Sequence, residues 1–340
     1  MDSLHKENAL ENILKRTRQR SLGYSRILKY AAVLLLPLLL GGTLFYVLTF
    51  KQQAGEVLPV SEPKQILPGG PKAILYLSDG QVIDLNRIVD SVIVDKHSGQ
   101  EIALSKDINE LNYSGVTRDI GQSKELAYNR IEVPRGGEYM LVLSDGTKVW
   151  LNSETRLEYP LAFGEHSREV RLSGEAYFEV TKDEARCFNV IMEGATIEVM
   201  GTSFNASCYP GEGQCWAVLE SGKINLRTDH GVAAVNVGEC ASYDIASGKV
   251  TVESVDLKYF TSWRYGTFYF YNTPLSEIVQ KLGRWYDVYF KFADESLRDV
   301  CFSGAALRSK PIDFMLELLS STQSLKFDIQ SDGMIMIYKK

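Results

Sequence analysis

Glu175 and Glu179, in the run GEAYFEV, are the carboxylates best placed for acid–base chemistry. Paired-carboxylate hydrolysis holds its two groups about 5–9.5 Å apart. Four residues apart on a strand, these two share a face at a separation of about 13 Å, so they read as solvated or turn-satisfying groups. The four histidines, His5, His97, His166 and His230, are scattered, and none has a second ligand type at metal spacing. There is no G-x-S-x-G elbow, no H-E-x-x-H pair, no G-x-x-x-x-G-K-S/T loop and no G-x-G-x-x-G turn after a strand. The expectation is a protein that is not an enzyme, with no cofactor and no metal. The five cysteines, Cys187, Cys208, Cys215, Cys240 and Cys301, are odd in number and contain no C-x-x-C pair. Buried free thiols are one reading. Cys208 and Cys215 flank Tyr-Pro-Gly-Glu-Gly-Gln, which looks like a hairpin tip, so an exported body could join those two as a disulfide.

The elements that would carry these residues are mostly strands. Leu75 to Asn86 reads LYLSDGQVIDLN and Leu141 to Asn152 reads LVLSDGTKVWLN, an internal echo that fits one hairpin plan. Alternating apolar residues make a strand, Ser-Asp-Gly turns because glycine accepts φ > 0, and a second strand returns. From Ile131 to Val255, short β-branched and aromatic runs bounded by Gly, Asn, Asp or Pro succeed one another without a helical period, which predicts an all-β domain, sandwich-like or solenoid-like. Near Gly266 the pattern changes. TFYFYN reads as a strand, and Leu275, Ile278, Val279 and Leu282 recur at helical spacing after Pro274. VYFKFAD and CFSGAAL are strands, Pro311 opens a helix bearing Ile312, Met315, Leu316 and Leu319, and SLKFDIQ with MIMIYKK closes as a hairpin. The order β-α-β-β-α-β-β predicts a small α+β domain with its helices on one sheet face.

Ahead of this body, Tyr30 to Phe50 is uncharged for 21 residues. As a helix it would reach about 31 Å, one hydrocarbon core, so a single transmembrane helix is expected. The 29 residues before it carry seven bases against three acids, which places them in the cytoplasm by the positive-inside rule. A cleaved secretory signal has the same charge order, but its apolar region is shorter and ends at a small-residue site that is absent after Phe50. Of 37 bases and 43 acids in the chain, 30 and 40 remain beyond the stub, so the rest is acidic and nucleic acid is an unsuitable partner. The expected organisation is a cytoplasmic segment 1–29, a span 30–50, a Pro/Gly-rich linker 51–71, a β-rich part 72–130, the all-β domain 131–255 and the α+β domain 263–340.

Four stretches carry a resemblance. VPRGGEYMLVLSDGTKVWLNSETRLEYP (Val133 to Pro160), REVRLSGEAYFEV (Arg168 to Val180), VMGTSFNASCY (Val199 to Tyr209) and AVLESGKINL (Ala217 to Leu226) resemble the FecR family of transmembrane anti-sigma regulators. The C-terminal segment, from WRYGTFYFYNTPLSEIVQKLGRWYDVYF (Trp263 to Phe290) onward, resembles the domain of unknown function appended to FecR proteins of the Bacteroidetes type. The resemblance implies an inner-membrane regulator with a periplasmic body. It would hold an extracytoplasmic-function sigma factor on the cytoplasmic side and read the signalling domain of a TonB-dependent outer-membrane transporter. Family members place a longer segment before the span than the 29 residues here. What is present can form one short amphipathic helix with Leu10, Ile13 and Leu14 as a sigma-contact stripe, or a basic tail lying on anionic lipid. The alternative function is a membrane-anchored periplasmic binding or scaffold protein without sigma control.

Overall fold

Three Ser-Asp-Gly turns organise strands in the computed structural model, which describes residues 41–46, 65–87, 91–94, 101–105, 110–114, 116 and 126–340. At each turn the glycine has φ between 82° and 87°, at Gly80, Gly146 and Gly333. The residue before the serine donates its backbone N–H across the loop, Leu77 to Gln81 and Leu143 to Thr147 at 2.9 Å and Gln330 to Met334 at 2.8 Å. The aspartate carboxylate accepts the N–H two residues on, from Gln81, Thr147 and Met334. Both halves of the sequence echo are therefore hairpins of one design, and the third copy closes the chain.

The chain divides into two compact units, 1–64 and 65–340. In the first, residues 41–46 are helical. The remainder of the apolar run and the stub lie outside the described residues. Among the described residues no helix is long and apolar enough to cross a membrane.

Among the described residues of the second unit, 19 strands bond into one sheet. It curls into two facing layers because one strand, Ser167–Glu179, belongs to both. Its first half lies between Thr155–Pro160 and Cys187–Met192, antiparallel to one and parallel to the other. Its second half, from Gly174, lies between Lys148–Leu151 and Ser203–Cys208. Gly174 is the crossing point. Its φ is +114°, and a Cβ there would stand 2.5 Å from Thr155 Oγ1 and 2.6 Å from Thr155 Cα, so only glycine fits. The inward alternates of both layers meet in one core, where Phe178 stacks on Phe204 at 5.0 Å and meets Phe188 of the opposite layer edge-on at 6.2 Å.

The C-terminal domain has its own core. Helix α1 (Leu275–Tyr286) buries Leu275, Ile278, Val279, Leu282 and Trp285, and α2 (Ile312–Thr322) buries Ile312, Met315, Leu316 and Leu319. Pro274 and Pro311 occupy the N-cap positions, extended and pre-set for the first helical turn. The expected single sheet is not formed. Thr267–Pro274 pairs with Cys301–Leu307, and Tyr289–Phe292, Met334–Lys339 and Leu325–Ile329 make a separate three-stranded sheet. Alternation shows which face of a strand is buried but not which strand it pairs with, so sequence order alone does not separate one sheet from two.

The linker expected through Pro71 also differs. Residues 51–64 lie outside the described residues, but Gly70–Pro71 pairs in parallel with Gly137 and Glu138. Ile66 packs against the C-terminal core. Apart from Ile66, this segment is held through backbone groups, which leave no periodic pattern in the sequence.

Candidate functional site at the domain junction

The two domains of the second unit meet on arginines. Arg308, between the strand Cys301–Leu307 and α2, is 2% exposed. Its Nη1 donates to the Trp263 carbonyl at 2.8 Å, and its Nη2 donates to Asn152 Oδ1 at 3.1 Å. Glu138 stands 3.5 Å away, and the guanidinium lies 3.7 Å from the centre of the Trp285 ring. Burial pulls the Arg308 pKa below its ordinary value. Burial likewise raises the Glu138 carboxyl, and the Arg308 charge partly opposes that rise. Asn152 continues the network, donating to Glu175 Oε2 at 2.8 Å, while Asn205 donates to Glu175 Oε1 and to the Phe260 carbonyl, each at 2.8 Å. One chain of bonds therefore runs from the β body through Glu175 to the buried cation of the C-terminal domain.

A second contact is made in the opposite sense. Arg135, in the turn after Tyr128–Val133, reaches out to the end of α1 and donates to the carbonyls of Gly283 and Val288 at 2.6 and 2.7 Å. It also pairs with Glu154 at 2.9 Å and Asp287 at 3.3 Å. The Gly283 carbonyl also accepts the N–H groups of Asp287 and Val288, and a cation beside the carbonyls of a helix C-terminus is favoured by the helix dipole. Arg284 of α1 returns the contact. It stacks 3.6 Å from the Tyr209 ring and pairs with Glu212, both on the hairpin tip 208–215. Cys208 and Cys215 close that tip with a disulfide, their Cα atoms 4.3 Å apart. A ring of this size removes about 2.5 kcal/mol of loop entropy from the unfolded chain. Tyr209 is buried, donates to the Ser153 carbonyl at 2.9 Å, and burial pushes its phenol well above the ordinary value.

The remaining residues singled out by sequence are apart from one another. Leu10, Ile13 and Leu14 lie outside the described residues. Glu175 is the centre of the junction network rather than a solvated group, because Asn152, just past the end of Lys148–Leu151, and Asn205 of Ser203–Cys208 both donate to it. Glu179 pairs with Arg264 at 2.8 Å, whose guanidinium lies 3.7 Å from the centre of the Tyr177 ring. Cys187, Cys240 and Cys301 are free thiols. Among the described residues no three His, Cys, Asp or Glu side chains gather as a metal site. The cavity beside Arg308, Trp263 and Glu175 measures about 40 Å³, and an open one lined by Arg135, Glu154, Tyr209 and Arg284 measures about 400 Å³. Small-molecule sites span about 300–1,000 Å³, so the first does not accommodate an organic substrate. Sequence reasoning missed Arg135, Arg284 and Arg308, and no motif marks them. Toward solvent, the strands Tyr289–Phe292 and Leu325–Ile329 are the two edges of their sheet, and Tyr265, Tyr271 and Tyr289 are well exposed.

The FecR protein family model matches residues 129–225, and the FecR C-terminal model matches residues 267–336. The chain belongs to the FecR family. The all-β body thus carries the FecR domain, and the strands and helices from Thr267 onward carry the FecR C-terminal domain. Two crystal structures of a "putative anti-sigma factor" from Parabacteroides distasonis ATCC 8503, at 1.65 and 2.50 Å resolution, are similar to the chain. They share 26% and 27% identity with it, each with a TM-score of 0.58, and the matches cover 62% and 63% of this chain and 99% of theirs. No protein of curated function matches the sequence. In FecR terms, Arg135 and the 208–215 tip belong to the FecR domain, and Arg284 and Arg308 belong to the C-terminal domain they hold in place.

Proposed function

We propose that this FecR-family chain is an anti-sigma regulator that carries a signal from an external protein to a sigma factor. The likeness to the Parabacteroides anti-sigma factor, which spans nearly all of that chain, carries the reading together with the two FecR family matches. In the finer form of the proposal, the apolar run Tyr30–Phe50 anchors the chain in the inner membrane. Residues 1–29 then meet an extracytoplasmic-function sigma factor through Leu10, Ile13 and Leu14, and the acidic body faces the periplasm. The chain performs no catalysis and uses no cofactor. The external partner is the signalling domain of a TonB-dependent transporter, received by strand addition at an open edge of the C-terminal domain. That mode requires backbone groups and complementary pockets, and Leu325–Ile329, paired on one side with Met334–Lys339, supplies an edge.

The experiment is a reporter for sigma-dependent transcription in cells lacking the chromosomal copy. Full-length protein is expected to restore ligand-dependent output. Deletion of residues 266–340 should abolish the response to ligand, and deletion of residues 1–29 should abolish sigma control altogether. Output that ignores both deletions would leave an anchored binding protein without sigma control.

A further inference from the structure

Residues 65–72 are the route by which the chain enters its folded body, and they touch both domains before joining either sheet. The Ile66 side chain packs on the C-terminal core, and its carbonyl accepts the N–H of Ile312, the first residue of α2, at 3.2 Å. Gly69 then passes between α1 and the turn that carries Arg135. A Cβ at this position would stand 2.7 Å from the Trp285 carbonyl, 2.8 Å from its ring and 2.9 Å from the Gly136 carbonyl, so a side chain would force the passage apart. Beyond it, Gly70 donates to Gly136 at 3.1 Å and Lys72 donates to Glu138 at 3.3 Å. The same turn is bonded to α1 directly, since the Gly136 N–H donates to the Arg284 carbonyl at 2.7 Å.

We propose that Gln65–Lys72 is a strap whose docking reports the arrangement of the two domains to the chain ahead of it. The strap is seated only while α1 and the 134–137 turn hold their present spacing. If a partner levers the C-terminal domain away, Ile66 leaves that core and Ile312 loses its acceptor. The strap is then held only by the Gly70 and Lys72 bonds to the FecR domain, and once these open eight residues are released. Extended, they add up to about 26 Å of reach. Coupling of this kind is reciprocal, so pushing out the strap must also loosen the junction. The role as an output element rests on the regulator function proposed for the chain. The coupling itself does not, and it is measured without any sigma factor.

The test is residue-resolved amide hydrogen exchange on the full-length chain. In the unaltered protein, the amides of Gly70, Lys72 and Gly136 should open together, with one exchange free energy and one urea dependence. Arg284→Ala frees the hairpin tip from α1 without touching the strap, and Gly69→Leu wedges the strap without touching Arg284. Each is expected to speed exchange at all three amides at least tenfold while leaving Val190, in the core of the FecR domain, at its original rate. Different urea slopes in the unaltered protein, acceleration of the strap without Gly136 or the reverse, or no acceleration in either variant would overturn the proposal. A failed sigma assay with coupled exchange would instead count against the regulator function alone.

Discussion

Replacing Arg308 with alanine is expected to lower the stability of the folded unit by about 3–4 kcal/mol, measured by urea unfolding. The side chain is almost fully buried, and its loss removes its bonds to the Trp263 carbonyl and Asn152 Oδ1, each of which keeps one backbone donor, from Gly266 and Ser153. It also removes the surface on which Trp285 packs. The Glu138 partner is 39% exposed, so solvent absorbs part of the charge imbalance and the cost stays below that of a sealed ion pair. Arg308→Met keeps the length and packing of the stem and is expected to recover about half of the loss, because stem contacts are separable from the charge. Arg308→Lys keeps the charge without the planar fork and should fall between the two. The transition should also lose cooperativity, with the C-terminal domain unfolding ahead of the FecR domain. A single unchanged transition for Arg308→Ala would show that the junction contributes little.

Gly174→Ala should cost a similar amount, about 3–5 kcal/mol, for a different reason. The strand Ser167–Glu179 can serve both layers only by turning at this residue, where φ is +114°. The added Cβ would meet the backbone of Thr155 and the Glu154 carbonyl at 2.6 and 2.9 Å, and neither can move without breaking a strand. Strain and overlap therefore add. Gly164→Ala is the control. Its nearest neighbour would be 3.8 Å away and its φ is ordinary, so the change should be close to neutral. Thermal unfolding of the two variants side by side gives the comparison. Equal midpoints would mean that the layers can cross elsewhere.

The hairpins were open to reading because Ser-Asp-Gly is a local code: glycine accepts the left-handed backbone and the aspartate caps its own turn. The two helices were equally plain, since Leu275, Ile278, Val279 and Leu282 share a face whatever they pack against. The junction is another matter. Arg308 and Asn152 are 156 residues apart, and Arg135 and Asp287 are 152 apart, so nothing near either arginine announces its partner. Glu175 drew attention through its spacing from Glu179. Its role comes instead from Asn152, at the end of one strand, and Asn205, on another, strands that alternation finds but does not place on either side of it. Gly174 reads as one of 27 glycines until the sheet is seen to fold over at it. The strap binds by one apolar side chain, Ile66, by backbone bonds and by the absence of a side chain at Gly69, and none of these has a period.

Sigma-factor binding is the function proposed for this chain, and its most direct measurement is retention of a sigma factor by the purified full-length protein. The sigma factor to use is the extracytoplasmic-function type encoded nearest its gene. The expected outcome is a stable complex that is lost when residues 1–29 are removed or when Leu10, Ile13 and Leu14 are changed together to aspartate. Absence of binding above background by the intact chain would contradict the anti-sigma function.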